Sequence, residues 1–501
     1  MVCRFLLVSL CIDAILGEVT VSERKRKLEE MTKGNNLGDA YATTLDRVKA
    51  QKGSRPRLGM DALMWVSNSE RPLHAGELCH ALGVRIGSAD LDVENVPTIR
   101  TLVGCSLGLI AVEASSSTVR LVHSTLQDYL SNNQSLFASP HSMIAEVCLT
   151  YLNFWCVCKL SLTLGSAPPS FPLVKYASCY WGKHIGRQKA ERVTSLALRL
   201  LIGFEQHISS RFLLLHYNKT RRWLEPGIDR SSSHNGFTGL HGAAFFGIGE
   251  IVAALLAMKE WNTNETDAMG RTALAWAAAR GHDNVVRILL RQKDVNANTR
   301  DFEFGTTPIL WAAIIGHEGV VNLLLEREDT DPNTADTLFG RTPLWCAAEG
   351  GHESVVELLL EREDINPNTA DTLYGRSPLL CAADGGYEGV VKLLLEREKT
   401  DPDIPSFSGE TALVLATSRG HAGIVKLLSE PKRSFSIAID TGKALERPSP
   451  GSFTCLSLSK PLPPAPRPLF AIAIPFLAVI SSIFLFYIFA LTSRSLSALS
   501  L

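Results

Sequence analysis

Residues 340–363 read GRTPLWCAAEGGHESVVELLLERE, and residues 375–398 read GRSPLLCAADGGYEGVVKLLLERE. Two stretches this alike at a spacing of 35 residues point to an internal repeat. Outward from them, the opening glycine recurs at Gly236, Gly270, Gly305, Gly340, Gly375 and Gly409, at intervals of 34, 35, 35, 35 and 34 residues. Behind each glycine comes Thr/Ser, then Leu or Ile, then a small-residue pair, then a Gly-His step, then a Val/Leu-rich run. These residue types predict two short helices per unit. Thr272, Thr307, Thr342 and Ser377 are hydroxyl N-caps, and Pro308, Pro343 and Pro378 sit at the first helical position, where no N–H is needed. Gly281, Gly316, Gly351, Gly386 and Gly420 supply the positive φ that ends the first helix. Paired alanines such as Ala312-Ala313 and Ala347-Ala348 let neighbouring helices approach closely. No unit can bury its second helix alone, so the expectation is a stack of six units over residues 236–430, ending at Pro431.

The pattern resembles the ankyrin repeat, whose signature is a T-P-L-x-x-A-A helix start with a period near 33 residues. That resemblance implies protein binding through hairpin tips and a concave face. The residue before the repeat glycine is Met269, Phe304, Phe339 and Tyr374 in four successive units, a stripe of large apolar groups at the tips. Aromatic residues and Met are enriched in interface cores, so these four are candidate partner-binding residues. The alternative is that each ring packs on its own hairpin. His282, His317, His352 and His421 recur in the Gly-His step and are expected to bond backbone of an adjacent turn, not to hold a metal.

Charge is unevenly spread. The chain has 50 Lys+Arg and 51 Asp+Glu, yet residues 236–430 hold 16 and 29, a net of −13 against +12 for the remainder. An acidic array repels phosphate backbones, so the expected partners are proteins and not nucleic acid.

Residues 1–235 contain no G-x-x-x-x-G-K-S/T loop, no G-x-S-x-G, no H-E-x-x-H and no Cys/His pair at metal spacing. The chain is therefore read as a non-enzyme with no cofactor, no catalytic residues and no metal site. The segment reads as mostly helical, with strands expected at Leu107–Glu113 and Thr118–Val122 around a Ser-rich turn. RPLHAGELCHALGV, with DLDVENVPTIRTLVGCSLGLIAVEASSSTVRLVHSTLQDYL, resembles the winged-helix part of fungal signal-transducing NTPases of the NACHT–ankyrin type. PHSMIAEVCLTYLNF and FPLVKYASCYWGKH resemble the helices that join that part to the repeats, and FLLVSLCIDAILGE resembles a helix just after the nucleotide-binding core. The resemblance implies an intracellular receptor with a nucleotide switch, and places His123 where a winged-helix histidine touches bound nucleotide. The phosphate loop and Mg-binding strand are absent from this sequence, which leaves that histidine little to bind. An interaction scaffold is the leading reading; part of a nucleotide-switched receptor, or a degenerate fragment, are the alternatives.

Residues 469–491 are 23 residues without a charge, about 34 Å as a helix, which predicts a C-terminal transmembrane anchor. Lys432, Arg433, Lys443, Arg447, Lys460 and Arg467 precede it and put the bulk of the chain on the cytosolic side of a membrane, or in the cytoplasm if that segment does not belong to the protein. The apolar run Phe5–Ile12 imitates a secretory signal, but Asp13 and the charged stretch that follows favour an amphipathic helix. The 11 cysteines lack disulfide or zinc spacing and read as buried free thiols. The expected architecture is mainly α: a helical fragment (1–57) resembling the end of a NACHT module, a winged-helix domain (58–135), a helical stem (136–235), six ankyrin repeats (236–430), a Pro/Ser-rich linker (431–468) and a transmembrane helix (469–491).

Overall fold

The structure, a computed structural model, describes residues 19–32, 37–188, 191–220, 236–258 and 261–430. Five helices and a small sheet open it: α1 (Val21–Thr32), α2 (Leu37–Lys49), α3 (Arg55–Asn68), β1 (Leu73–His74), α4 (Ala75–Gly83), α5 (Ile99–Cys105), β2 (Ile110–Val112) and β3 (Thr118–Leu121). The sheet is antiparallel in the order β1-β3-β2, with Leu73 opposite Val119 and Ile110 opposite Leu121. Strand β2 is shorter than its sequence suggests. Leu107 and Gly108 both have positive φ (48° and 80°) and form the turn out of α5, so extended backbone starts only after them. Strand β1 has two residues, too few to show alternation in sequence. Its Arg71 neighbour grips Glu77 through two bonds of 2.8 and 2.6 Å, while Glu77 also accepts the His74 N–H at 2.8 Å and so caps α4.

The stem follows with α6 (Ser124–Asn132), α7 (Pro140–Leu152), α8 (Trp155–Cys158), α9 (Val174–Arg187), α10 (Glu191–Ile202) and α11 (Ile208–Thr220). Helices α7 and α9 pack along each other. Tyr176 and Trp181 of α9 and Ile144 and Cys148 of α7 are fully buried. This core runs without a break into the array. The Trp181 and Phe246 rings lie 4.8 Å apart, and a Cβ on Gly182 would fall 2.2 Å from Phe246. Gly239 likewise admits the Leu201 carbonyl, which a Cβ would meet at 2.1 Å. Glycine is required at both junction positions by close approach.

Six helix pairs make the array: α12 (Gly239–Phe246) and α13 (Gly249–Ala257), α14 (Ala273–Arg280) and α15 (Asp283–Leu290), α16 (Pro308–Ile315) and α17 (Glu318–Leu325), α18 (Pro343–Gly350) and α19 (Glu353–Leu360), α20 (Pro378–Gly385) and α21 (Glu388–Leu395), α22 (Ala412–Arg419) and α23 (Ala422–Ser429). First helices stack on first helices and second on second. The N-cap hydroxyls of Thr272, Thr342 and Ser377 accept backbone N–H groups at 3.2, 3.2 and 3.4 Å; that of Thr307 is buried without a partner. The glycines that end the first helices have φ of 69° to 84°. His282, His352 and His421 each bond through Nε2 to a carbonyl near the end of the preceding first helix, at 3.1, 3.2 and 3.2 Å. An asparagine ladder joins the loops. The Asn264, Asn298, Asn333 and Asn368 amides donate to carbonyls of the next unit, those of Asp294, Asp329, Asp364 and Lys399.

One expectation is corrected. Among the described residues no helix is long and apolar enough to cross a membrane, so the mainly helical fold stands without a C-terminal transmembrane helix. The reading of 469–491 rested on its uncharged length and the basic residues before it, and the run lies outside the described residues, as do the linker 431–468 and the N-terminal run Phe5–Ile12. Eight cysteines are described, all free; Cys79, Cys105, Cys148, Cys179, Cys346 and Cys381 are buried.

Candidate functional site

The repeat geometry aligns tips and first helices along one side. Each tip is built by an aspartate: Asp267, Asp301, Asp336 and Asp371 accept tip N–H groups, for example that of Met269 at 2.9 Å and that of Phe304 at 2.9 Å. Tips are then zipped together, because Phe302, Thr337, Thr372 and Phe407 donate N–H to the carbonyls of Met269, Phe304, Phe339 and Tyr374 at 2.7–2.8 Å. The four residues singled out in the sequence therefore have fixed backbones, and what differs is where their side chains go. Phe304 and Phe339 are partly buried and line a groove; Tyr374 is 57% exposed; Met269 is partly buried.

That groove has a volume of about 820 Å³ and lies against α14, α16 and α18, with Tyr217 of the stem at one end. Its apolar surface comes from Phe304, Phe339, Trp311, Ile314 and Ile315. The indole N–H groups of Trp276 and Trp311 are tied to Asp267 and Asp301 at 2.9 and 3.1 Å. Trp345 sits one position earlier in its unit, and its N–H goes instead to the Arg376 carbonyl of the next unit at 2.7 Å. The position that holds Trp276 and Trp311 is taken by Cys346 and Cys381, both buried, whose thiol pKa values burial pushes up. Together with Leu310, Trp345 and Ile314 they form a small separate apolar cluster.

Charged groups in the groove are Arg280, Asp336, Arg341 and Glu349, beside His317 and His352. The Arg341 guanidinium lies between two rings, 4.3 Å from the Phe339 centroid and 4.6 Å from that of Trp345. Arg280 lies 4.5 Å from the Phe245 ring; desolvation lowers its pKa and Tyr217 opposes that. Desolvation raises the Glu349 carboxyl, with Arg341 pulling it back. Burial lowers the pKa of His317. The arrangement suits recognition. It is a wide apolar groove with a few oriented charges, and among the described residues no group of three or more His, Cys, Asp or Glu is placed to hold a metal ion.

His123 is elsewhere, at the start of α6. Its Nδ1 accepts the Thr125 N–H at 3.2 Å and lies 2.9 Å from the Thr125 hydroxyl, so the ring acts as the helix cap. Sequence reasoning missed the most exposed tip rings, Phe302 and Phe407 at 75% and 74%, and the partners Leu338 and Leu373 at 49%. Leu338-Phe339 and Leu373-Tyr374 are adjacent apolar pairs, a signal that was open to reading. Arg280, Ile314, Ile315, Arg341 and Tyr217 carried no such signal, since the groove assembles them from different units.

Comparison with known proteins supports both halves of this description. Residues 207–301, 294–371 and 364–441 match the family described as ankyrin repeats (3 copies). Residues 46–140 match the family described as GPI inositol-deacylase, winged helix domain. No curated protein matches the chain. Among solved structures, the ankyrin repeat protein EF0377 is 27% identical over 38% of this chain and 96% of its own, with a TM-score of 0.36.

Proposed function

We propose that this chain is a non-catalytic interaction protein that holds a partner protein in the groove between its second and fourth repeats. Ankyrin repeats are present and support a protein–protein interaction role. The observation that carries the finer reading is the groove itself, where Phe304, Phe339, Ile314 and Ile315 gather apolar surface on a backbone fixed by tip-to-tip bonds. A rigid platform loses little conformational entropy when it binds. The tip ridge continues the surface through Tyr374, Leu373 and Phe407, all exposed. Protein partners suit the acidic array better than nucleic acid does. The test is a comparison of partners retained by the wild-type chain and by Phe304→Ala/Phe339→Ala/Tyr374→Ala. Loss of a defined set is expected; identical sets would discard the site.

A second reading has one observation behind it. A winged-helix domain precedes the ankyrin array, the order that the resemblance implies for a nucleotide-switched receptor. Titration of the chain with ATP and ADP separates the two. Binding abolished by His123→Ala would favour the switch, and no heat of binding would leave the scaffold.

A further inference from the structure

Three repeats carry an arginine directly after their opening glycine, and two of the three are satisfied by carboxylates. Arg271 pairs with Glu303 at 3.1 Å and with Asp301 at 3.7 Å. Arg376 pairs with Asp384 at 3.1 Å. Arg341 has no ion pair among the described residues; its Nε, like that of Arg271, is buried without a hydrogen-bond partner, but Arg271 has carboxylates beside it. A guanidinium held between Phe339 and Trp345 is already positioned and partly stripped of water. Arg280, the second cation of the same groove, rests on Phe245 and likewise has no carboxylate among the described residues.

The groove's own acids do not answer these charges. Asp336 is committed to the tip, accepting the Phe339 N–H. Glu349 lines the groove but is in ion-pair contact with neither arginine among the described residues. The histidine His352 is committed through Nε2 to the Ile314 carbonyl. Nor does the array's net negative charge sit here. Residues 318–331 carry five carboxylates against one arginine, and residues 353–364 again five against one, all on second helices and the loops after them. Beyond about one Debye length of ~8 Å such charges are largely screened.

Building on the reading of this groove as a partner surface, we propose that it takes a protein segment presenting a carboxylate to Arg341 and Arg280, beside an apolar side chain seated on Ile314 and Ile315. Charge complementarity selects the carboxylate: two guanidinium groups of the groove lack counter-ions among the described residues, and an acid would give Arg341 the charge-assisted partner that Arg271 and Arg376 already have. The apolar wall selects its neighbour.

The test selects short peptides from a phage-displayed library on the full chain, then measures one enriched peptide by fluorescence anisotropy. The expected result is Asp or Glu next to an aliphatic or aromatic residue, with affinity falling about tenfold or more in Arg341→Gln and in the peptide's own Glu→Gln form. The two changes should be strongly non-additive, because each removes the same contact. Arg341→Lys, which keeps charge but not the flat fork, should fall between, and unchanged circular dichroism would show that the variants fold. Peptides that need Ile315→wild-type apolar character (lost in Ile315→Lys) yet carry no acid, or that ignore Arg341→Gln, would overturn the carboxylate while keeping the groove. Peptides indifferent to both Ile315→Lys and Arg341→Gln would overturn the groove reading as well.

Discussion

Repeats four and five agree over most of their length, yet they use the same arginine differently. In repeat four, Trp345 lies over Arg341 and the nearest first-helix acid is Glu349. In repeat five, Leu380 stands where Trp345 does, and the acid is Asp384, which holds Arg376 at 3.1 Å and Arg419 of repeat six at 2.7 Å. The backbones match, so the difference lies in two side chains. An aromatic face fixes the guanidinium in the groove; an aliphatic residue and a paired acid turn it aside. A repeat protein thus keeps one scaffold and decides repeat by repeat which charges remain free for a partner.

The comparison breaks most severely at Trp345, which is 3% exposed and donates to the Arg376 carbonyl. Trp345→Leu makes repeat four resemble repeat five at this position. It removes buried surface and one of the two donors to that carbonyl, which keeps the Asp371 N–H at 3.0 Å, at a cost of about 2 kcal/mol or more. Urea unfolding should show the loss. Amide exchange should accelerate in residues 343–350 and 378–385 more than in 273–280. Equal protection in all three would mean that the indole does not bind the repeats together.

The converse change is Asp384→Asn, which frees Arg376 and Arg419 together. The acid is largely enclosed but both arginines are partly exposed, so solvent screening keeps the loss small. The loss should shrink as salt is added. Chemical denaturation at low and high ionic strength checks this, and a salt-independent difference would assign the effect to packing instead.

Much of this contrast was hidden in the sequence, although the scaffold was not. Periodic glycines, hydroxyl caps and Gly-His steps each act within about ten residues, so their local physics can be read off the chain. The asparagine ladder is equally periodic, at 264, 298, 333 and 368, but its acceptors lie about 31 residues away, so its bonds do not show in the letters. Whether an arginine finds an acid depends on a rotamer choice between neighbours from different helices, and no spacing encodes that. The one-residue offset of Trp345 from the Trp276 and Trp311 position is visible in the letters, yet its meaning appears only when Arg376 is brought beside it. Strand β1 and the junction glycines Gly182 and Gly239 were illegible for the same reason, since their partners Val119, Phe246 and Leu201 come from elsewhere in the chain. The membrane-helix expectation at 469–491 falls outside the described residues, among which no helix is long and apolar enough to cross a membrane.

Tyr387 offers a way to sharpen the comparison. Repeats two, three, four and six place a histidine there, bonded to the preceding first helix. Tyr387 has no such bond among the described residues, although its ring covers Gly351 as His352 covers Gly316. Tyr387→His should let Nε2 reach the Glu349 carbonyl and stabilise the fourth-to-fifth junction by about 0.5–1 kcal/mol, less whatever apolar contact the smaller ring gives up. Slower exchange in residues 378–385 is the expected readout, and faster exchange would show that the tyrosine's packing outweighs a hydrogen bond.

The smallest effect concerns Glu349, and its sign follows from the direction of its shift. Desolvation, the largest cause, raises the carboxyl pKa above 4.5 in the folded chain, while Arg341 acts the other way. Between the unfolded and folded pKa values the native state therefore binds more protons than the unfolded state, so this group favours folding in acid and the benefit is lost as pH rises through the folded pKa. Glu349→Gln removes the dependence and should leave the variant slightly more stable than wild type at neutral pH, with the two converging near pH 4. If Glu349→Gln lowered stability at neutral pH, the carboxylate would be favourably paired with Arg341 in solution, and repeat four would then resemble repeat five after all.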